Sequence, residues 1–192
     1  MRFGFLLLLL LLPAWLTGCR TTPPVLDTAR PFHEALAART NTLGVPKGSE
    51  AERAAVQRVK DFFVTMTEDS VRQQTRQVYA PEAYLNDTLK SLNGAAAIED
   101  YFLATVRQAE SVTVKFEDVA ESGGNYYFRW VMDTRLKKLR PGETIRTIGI
   151  TLLRFDAQGR VVLHQDFWDS TAGVYEHVPV LGTAIRGIKA KF

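Results

Sequence analysis

The second half of the sequence is a run of predicted strands separated by turn sequences, and this run restricts the possible folds most. Residues 112–116 and 126–134 alternate between large apolar and other residues, and the turn sequence Ser-Gly-Gly-Asn at 122–125 separates them. Such alternation is typical of strands that bury one face. Residues 147–155 and 161–169 predict a second hairpin around Asp-Ala-Gln-Gly. A sheet with one apolar face needs a second layer to cover it.

Three predicted helices precede these strands, and they supply the layer that covers the apolar face of the sheet. Ser49 and Glu52 have the spacing of a capping box, and the apolar residues that follow predict a first helix over residues 50–67. A second, shorter helix is expected before Pro81, and Gly94 opens a third. Helices followed by antiparallel hairpins indicate one α+β domain, with the helices packed on one face of the sheet.

The first 18 residues have the organisation of a signal peptide. Arg2 precedes an unbroken run of leucines over residues 6–12, and small residues follow up to Cys19. A membrane-spanning helix needs about 20 apolar residues, whereas Pro13 already interrupts this segment. The pattern therefore predicts an exported protein from which residues 1–18 are removed.

The four residues Leu16-Thr17-Gly18-Cys19 resemble the lipobox of bacterial lipoproteins. The resemblance implies diacylglycerol on the Cys19 sulfur, cleavage before Cys19, and acylation of the new amine, typically with palmitate. Several acyl chains suffice for stable membrane anchoring. Because residue 20 is Arg rather than Asp, the resemblance favours the periplasmic face of the outer membrane. The alternatives are an ordinary secreted protein and an uncleaved anchor.

Two flanking segments are expected outside the domain proper. Residues 19–48 contain four prolines and only one short helical-looking island, which predicts a flexible tether. About 30 residues reach roughly 100 Å when fully extended. Residues 171–192 predict a C-terminal helical extension that closes the cavity mouth or packs on the domain. A basic helix lying on a membrane surface is the other interpretation.

Composition excludes several classes of function. Removing residues 1–18 takes away Arg2 alone among charged side chains, so the 24 basic residues become 23 against 21 acidic ones. This near-neutral balance argues against a nucleic-acid partner. Cys19 is the only cysteine, which leaves the folded part without a disulfide, a redox thiol or a cysteine ligand. His164 and Asp166 lack an obvious third ligand, so neither a metal nor another cofactor is expected.

Local sequence resembles the SnoaL-like domains of the nuclear-transport-factor-2-like superfamily. Residues 85–87 followed by residues 92–102 resemble the family's strand, acidic residue, glycine and third helix, and residues 153–169 resemble its final hairpin. The resemblance spans about residues 50–170 and assigns the domain to residues 49–170. It implies a cone-shaped fold in which a curved antiparallel sheet wraps around the N-terminal helices. Similar domains often pair through the sheet, so a homodimer is possible.

The superfamily includes ketosteroid isomerase. Comparing the catalytic residues of that enzyme with the matching positions of this sequence tests whether steroid isomerisation is expected here. The general-base Asp of that enzyme corresponds to Asp87, but its two oxyanion donors correspond to Phe62 and Thr151. Phenylalanine cannot donate a hydrogen bond, and losing one oxyanion donor typically lowers the rate about 10²–10³-fold. Steroid isomerisation is therefore not expected. In SnoaL-like cyclases an acidic residue on the last strand acts as acid or base, and Asp166 has the matching place.

Strand alternation puts Val162, His164, Asp166 and Trp168 on one face, which the resemblance makes the cavity face. Asp87, His164 and Asp166 are therefore the candidate catalytic residues, with His164 as the natural proton carrier near neutral pH. The alternative is that Asp87 caps the loop before the third helix while His164 and Asp166 make structural hydrogen bonds. The expected cavity walls are Phe62, Tyr84, Trp130, Thr151 and Trp168.

Three functions follow from this arrangement. The leading hypothesis is a membrane-tethered domain that binds a small hydrophobic or amphipathic molecule in its cavity. The first alternative is an acid/base enzyme of the cyclase, isomerase or hydrolase type that uses the three titratable residues. The second alternative is a non-catalytic scaffold for partners in the cell envelope.

Overall fold

A computed structural model describes residues 26–192 of the chain. The predicted signal peptide and lipid attachment at Cys19 lie outside the described residues. Within them, six helices and six strands follow one another in the order α1 Arg30–Ala37, α2 Glu50–Val64, α3 Glu68–Val78, β1 Tyr79–Asn86, β2 Ser91–Asn93, α4 Ala95–Gln108, β3 Ala109–Ser122, β4 Asn125–Leu136, β5 Ile145–Phe155, β6 Val161–Trp168, α5 Ser170–Gly173 and α6 Leu181–Lys189. The predicted α+β class is confirmed.

The six strands form one curved, open sheet in the order β2-β1-β6-β5-β4-β3. Four of the five neighbouring pairs are antiparallel, whereas β1 and β6 pair in parallel. The predicted curved sheet is therefore mostly antiparallel, with one parallel pair that the sequence did not indicate. A parallel pair needs a long crossover connection, and α4 with four strands lies between β1 and β6. This topology brings the chain's last strand beside its first.

The ends of α2 and α3 follow from capping chemistry. Ser49 caps α2 by accepting the Glu52 backbone N–H at 3.1 Å, but the Glu52 carboxylate accepts from Gly48 N–H instead of closing the predicted capping box. Thr67 and Ser70 form the reciprocal capping box, at the start of α3. Because Thr67 must leave the helical conformation to cap α3, α2 ends at Val64 rather than at residue 67.

The main core lies between the concave face of the sheet and helices α2 to α4. Phe62 from α2 and Ile98 from α4 are fully buried there, against Phe128 and Leu153 of the sheet. Burying a large apolar side chain contributes about 1.5–3 kcal/mol. This packing holds the helices over only part of the concave face, and the remaining space is the cavity described below.

The segment before α2 is not free along its whole length. Helix α1 packs on the convex face of the sheet, where Ala35 contacts a small cluster around Tyr84 and Leu163. Arg39 donates to the Val162 carbonyl at 2.7 Å, and Val45 is buried in the main core. Residues 30–45 therefore belong to the folded domain, in contrast to the expectation of a flexible tether through residue 48.

After β6 the chain forms α5, a short 3-10 turn at Tyr175–His177, and α6. Helix α6 is held to this turn because Arg186 donates to the Glu176 carbonyl at 3.0 Å and Lys189 contacts the Glu176 carboxylate at 2.5 Å. Its apolar residues Leu181 and Ile188 stay exposed. Within residues 26–192, none of the helices has the length and apolar character needed to cross a bilayer.

Candidate functional site

A cavity of about 690 Å³ opens between the helices and the concave face of the sheet. Its interior is mainly apolar, with Leu85, Phe128 and Leu153 fully buried in its wall. Among the polar side chains that reach it are Asp87, His164 and Asp166. The volume is in the range of sites that enclose a small organic molecule.

Asp166 is the centre of a hydrogen-bonded group on β5 and β6. Its Oδ1 atom accepts from the Thr151 hydroxyl at 2.5 Å and lies 2.9 Å from His164 Nε2. The Trp130 indole N–H in turn donates to the Thr151 hydroxyl at 2.8 Å. These contacts arise from the sheet register, in which Thr151 pairs directly with Asp166 on the neighbouring strand.

The other nitrogen of His164 contacts Tyr79, the first residue of β1. The Tyr79 hydroxyl lies 2.8 Å from His164 Nδ1. Burial raises the pKa of Tyr79 well above its usual value, and the nearby Asp166 and Asp87 carboxylates add to the shift. Tyr79 therefore keeps its proton and can donate it to Nδ1. The hydrogen-bond network then places the imidazole proton on Nε2, facing Asp166.

One oxygen of Asp166 stays open. Among residues 26–192, Oδ2 takes part in no hydrogen bond, and the side chain retains 15% exposure in the cavity wall. His164 is more deeply buried and uses both ring nitrogens. The open carboxylate oxygen makes Asp166 the group that can contact a bound molecule, while His164 orients it. The role of His164 as proton carrier stays a prediction, and the engagement of both its ring nitrogens favours Asp166 as the group that contacts a ligand.

Asp87 is separated from this network by its own contacts. Its Oδ1 accepts the backbone N–H groups of Leu89 and Lys90 at 3.0 and 2.8 Å, and its Oδ2 accepts a short hydrogen bond from the Tyr101 hydroxyl. Burial, with the adjacent Asp87 charge, raises the pKa of Tyr101, so its hydroxyl stays protonated. Trp168 N–H donates to the Asp87 carbonyl at 2.7 Å. Both carboxylate oxygens thus stabilise the turn between β1 and β2.

The five expected wall residues divide into two groups. Trp130, Thr151 and Trp168 line the cavity. Phe62 lies behind the wall, fully buried in the main core. Tyr84 is on the convex face beneath α1, because its neighbour Leu85 takes the inward position on β1. The expectation that Phe62 and Tyr84 line the cavity is therefore corrected.

The fold and this cavity can be compared with known proteins. The family model described as "SnoaL-like domain" matches residues 59–164, more than half of the 192-residue chain. The chain belongs to the SnoaL-like domain family. A search of curated proteins found none that matches it.

Solved structures share the fold of this SnoaL-like chain. A hypothetical protein with a ketosteroid isomerase-like fold from Catenulispora acidiphila, in complex with trimethylamine, is 14% identical with a TM-score of 0.54, over 68% of this chain and 91% of that one. An LEH-like epoxide hydrolase from M. tuberculosis is 14% identical with a TM-score of 0.52, over 77% of this chain and all of that one. An NTF2-like protein of unknown function from Exiguobacterium is 16% identical with a TM-score of 0.52, over 61% and 99%. At these identities the likeness shows the fold alone.

Three hydrogen-bond donors in the interior of the SnoaL-like cavity are engaged, whereas the buried Thr147 hydroxyl in its lining has no hydrogen-bond partner among residues 26–192. The Thr151 hydroxyl donates to Asp166, the Tyr101 hydroxyl to Asp87, and the Trp130 indole to Thr151. An oxyanion hole needs donors aimed at the developing negative charge, and these three donors are already engaged. Thr151 therefore does not supply the donor that Phe62 lacks, because its hydroxyl proton is directed to Asp166.

The sequence did not indicate a site role for two residues, Tyr79 and Tyr101. Tyr79 directly follows the last residue of α3, and the apolar spacing of that helix predicts Tyr79 as part of it. In the structure Tyr79 is instead the first residue of β1. Nothing in the helical spacing of Tyr101 indicates a hydrogen bond to Asp87. Among residues 26–192, no cluster of three or more His, Cys, Asp or Glu side chains could hold a metal ion.

Proposed function

We propose that this chain is a membrane-tethered SnoaL-like domain that binds a small hydrophobic or amphipathic molecule in its cavity. The observation that carries the proposal is the mainly apolar cavity of about 690 Å³ with the open Asp166 carboxylate oxygen in its wall. Burial of apolar ligand surface drives association in such a site, and a few polar groups orient the ligand. The Trp130 and Thr151 donors nearest to Asp166 are engaged, which favours binding over chemistry that needs an oxyanion hole there.

Narrowing the cavity is expected to weaken ligand binding. Met132 lines the cavity from β4, so Met132→Trp fills part of it, and uptake of a neutral fluorescent hydrophobic probe should weaken about tenfold or more. Native mass spectrometry of the protein from residue 26 onwards, before and after organic extraction, measures the co-purifying molecule directly.

The matched control is Ile148→Trp, because Ile148 is 71% exposed and does not line the cavity. This variant should bind the probe like the unaltered protein. Val114→Phe is a smaller change in the same cavity wall. It should weaken probe binding in a protein that still folds, and so it separates loss of binding from loss of folding. If all three variants retained the probe equally, the binding proposal would be wrong and the scaffold alternative would be favoured.

The tether belongs to the same proposal and is supported by sequence alone. The pattern at residues 16–19 indicates lipid on Cys19, and Arg20 favours the outer membrane. Because residues 30–45 pack on the domain, the proposed free segment is shorter than residues 19–48. Incorporation of labelled palmitate that disappears in Cys19→Ala is the measurement.

An acid/base enzyme is the second candidate, and the open Oδ2 of Asp166 favours it. A carboxylate held by His164 could remove a proton from water or from a carbon acid. The epoxide hydrolase named among the similar folds suggests an apolar epoxide as the first substrate to test. Hydrolysis would require water oxygen to bond to an epoxide carbon as the C–O bond breaks, and a donor to protonate the released alkoxide. The engaged Trp130, Thr151 and Tyr101 donors count against this second requirement, which leaves the Thr147 hydroxyl as the candidate donor.

If turnover is found, Asp166→Asn should lower kcat about 10²–10⁴-fold, since the amide cannot accept the proton. Product formation from a racemic apolar epoxide, followed by chromatography, is the measurement. Asp61→Asn, at an exposed position of α2, is the matched control and should leave kcat unchanged. A rate that survives Asp166→Asn would exclude Asp166 as the base.

A further inference from the structure

The cavity mouth carries four cationic side chains from three separate segments. Lys90 lies in the turn after β1, Arg107 in the last turn of α4, and Lys137 and Lys138 directly after β4. All four line the cavity and all four are exposed, in contrast to the buried apolar interior. We call these four residues the cationic rim.

Two members of the cationic rim are already paired. Arg107 Nε lies 2.9 Å from the Glu68 carboxylate, and the Lys137 ammonium donates to the Arg107 carbonyl at 2.8 Å. For Lys90 and Lys138, the described part of the chain contains no side-chain hydrogen bond or ion pair. Two ammonium groups at the mouth are therefore available to an anionic partner.

The acidic residues of the cavity do not neutralise these two lysines. Asp87 and Asp166 are the only acidic side chains in the described lining. Asp87 accepts hydrogen bonds on both oxygens from its own turn and from Tyr101. Asp166 is held by Thr151 and His164 on the inner strands. The charge of the cavity is thus divided, with carboxylates in the wall and free cations at the mouth.

We infer that the ligand is an amphiphile with an apolar chain and one anionic phosphate or carboxylate group, and that Lys90 and Lys138 bind this group at the mouth. The inference rests on the proposed binding function and specifies its ligand class. The apolar chain enters the interior, where its burial supplies the affinity. An anionic group placed deep in the cavity would be repelled by Asp166, so the divided charge also sets the ligand's orientation.

Lys90 and Lys138 contribute mainly selectivity, because single contacts between exposed charges are weak. Reversing both charges turns two attractions into two repulsions. We therefore expect Lys90→Glu/Lys138→Glu to weaken binding of an anionic amphiphile about tenfold. Raising the ionic strength from about 0.02 to about 0.5 M should reduce the preference of the unaltered protein for that amphiphile, since salt screens exposed charges.

The test compares three probes of equal chain length: dodecyl phosphate and dodecanoate, each below its micelle concentration, and the neutral dodecanol below its solubility limit. Binding to the full chain carrying Cys19→Ala is measured by displacement of a fluorescent probe. The matched control is Lys60→Glu/Lys115→Glu, which makes the same change in net charge at lysines outside the cavity lining. Inorganic phosphate is the fourth competitor, and it distinguishes a free anion from the head of an amphiphile.

The expected result is about tenfold weaker binding of dodecyl phosphate to the rim variant, with dodecanol changed less than about twofold and the control variant like the unaltered protein. The comparison with dodecanoate identifies the preferred head. Equal losses in the rim and control variants, an equal loss of dodecanol, or equally strong binding of inorganic phosphate would each overturn the inference. If one of these results were found while dodecanol still bound, the inference about the anionic group would be wrong but the proposed binding function would remain supported. If no alkyl probe bound at all, the inference and the proposed function would both be wrong.

Discussion

Replacing His164 with Ala is expected to lower the free energy of unfolding by about 2–4 kcal/mol. His164 is 4% exposed, and each of its ring nitrogens contacts a partner, Tyr79 on one side and Asp166 on the other. The substitution leaves the buried Tyr79 hydroxyl without its acceptor and removes one donor from Asp166. It also opens a void beside the cavity. Urea unfolding followed by circular dichroism measures the change.

A double-mutant cycle isolates the contribution of the Tyr79 hydroxyl. In a Tyr79→Phe background that hydroxyl no longer needs an acceptor, so His164→Ala should be less destabilising there by about 1–2 kcal/mol. His33→Ala, at an exposed position of α1, is the control and should change stability by less than about 0.5 kcal/mol. Additive effects of Tyr79→Phe and His164→Ala would contradict the proposed direct hydrogen bond.

Phe62→Ala is expected to be the most destabilising single substitution in α2, by about 3–5 kcal/mol. Phe62 is fully buried, and its ring centroid lies 4.9 Å from that of Phe63 and 5.7 Å from that of Phe102. Removing the ring leaves a void among well-packed neighbours that cannot collapse. Chemical unfolding at constant pH gives the difference in stability.

Phe63→Ala is the matched comparison, because the two phenylalanines are adjacent in sequence. Phe63 lines the cavity and is only partly buried, so its removal enlarges an existing space and should be about half as destabilising or less. Phe63→Ala should, however, alter uptake of a hydrophobic probe, whereas the main effect of Phe62→Ala should be on the free energy of unfolding. Equal stability losses for both would place Phe62 at the cavity rather than behind it.

The site could be predicted from sequence wherever it depends on neighbouring positions of one strand. His164 and Asp166 are two residues apart on β6, and strand alternation correctly places both on the cavity face. Val162 was expected on the same face as His164 and Asp166. On the partner strand β5, however, Arg154 pairs with Leu163 and Phe155 pairs with Val161, so the register shifts at Val162 and Val161 is the residue in the main core. Such an irregularity depends on the partner strand and leaves no signal in the alternation.

Contacts between distant segments could not be predicted in this way. Tyr79 reaches His164 across 85 positions only because β1 and β6 pair in parallel, and the sequence indicated antiparallel strands throughout. The cationic rim likewise draws on three segments whose lysines and arginine look like ordinary surface charges in the sequence. The packing of α1 on the sheet has the same origin, since proline content indicated a tether but not the surface that α1 covers.

The sequence by itself determined the order of helices and strands, the SnoaL-like family and the positions of Asp166 and His164, because each of these depends on local periodicity or on a short motif. It also supports the prediction of export and lipidation at Cys19, which rests on residues outside the described structure. Only the tertiary structure decided which oxygen of Asp166 is open, that Asp87 stabilises a turn, and where the free cations lie. These properties depend on which strands become neighbours and how closely their side chains pack, and that information is spread over the whole chain.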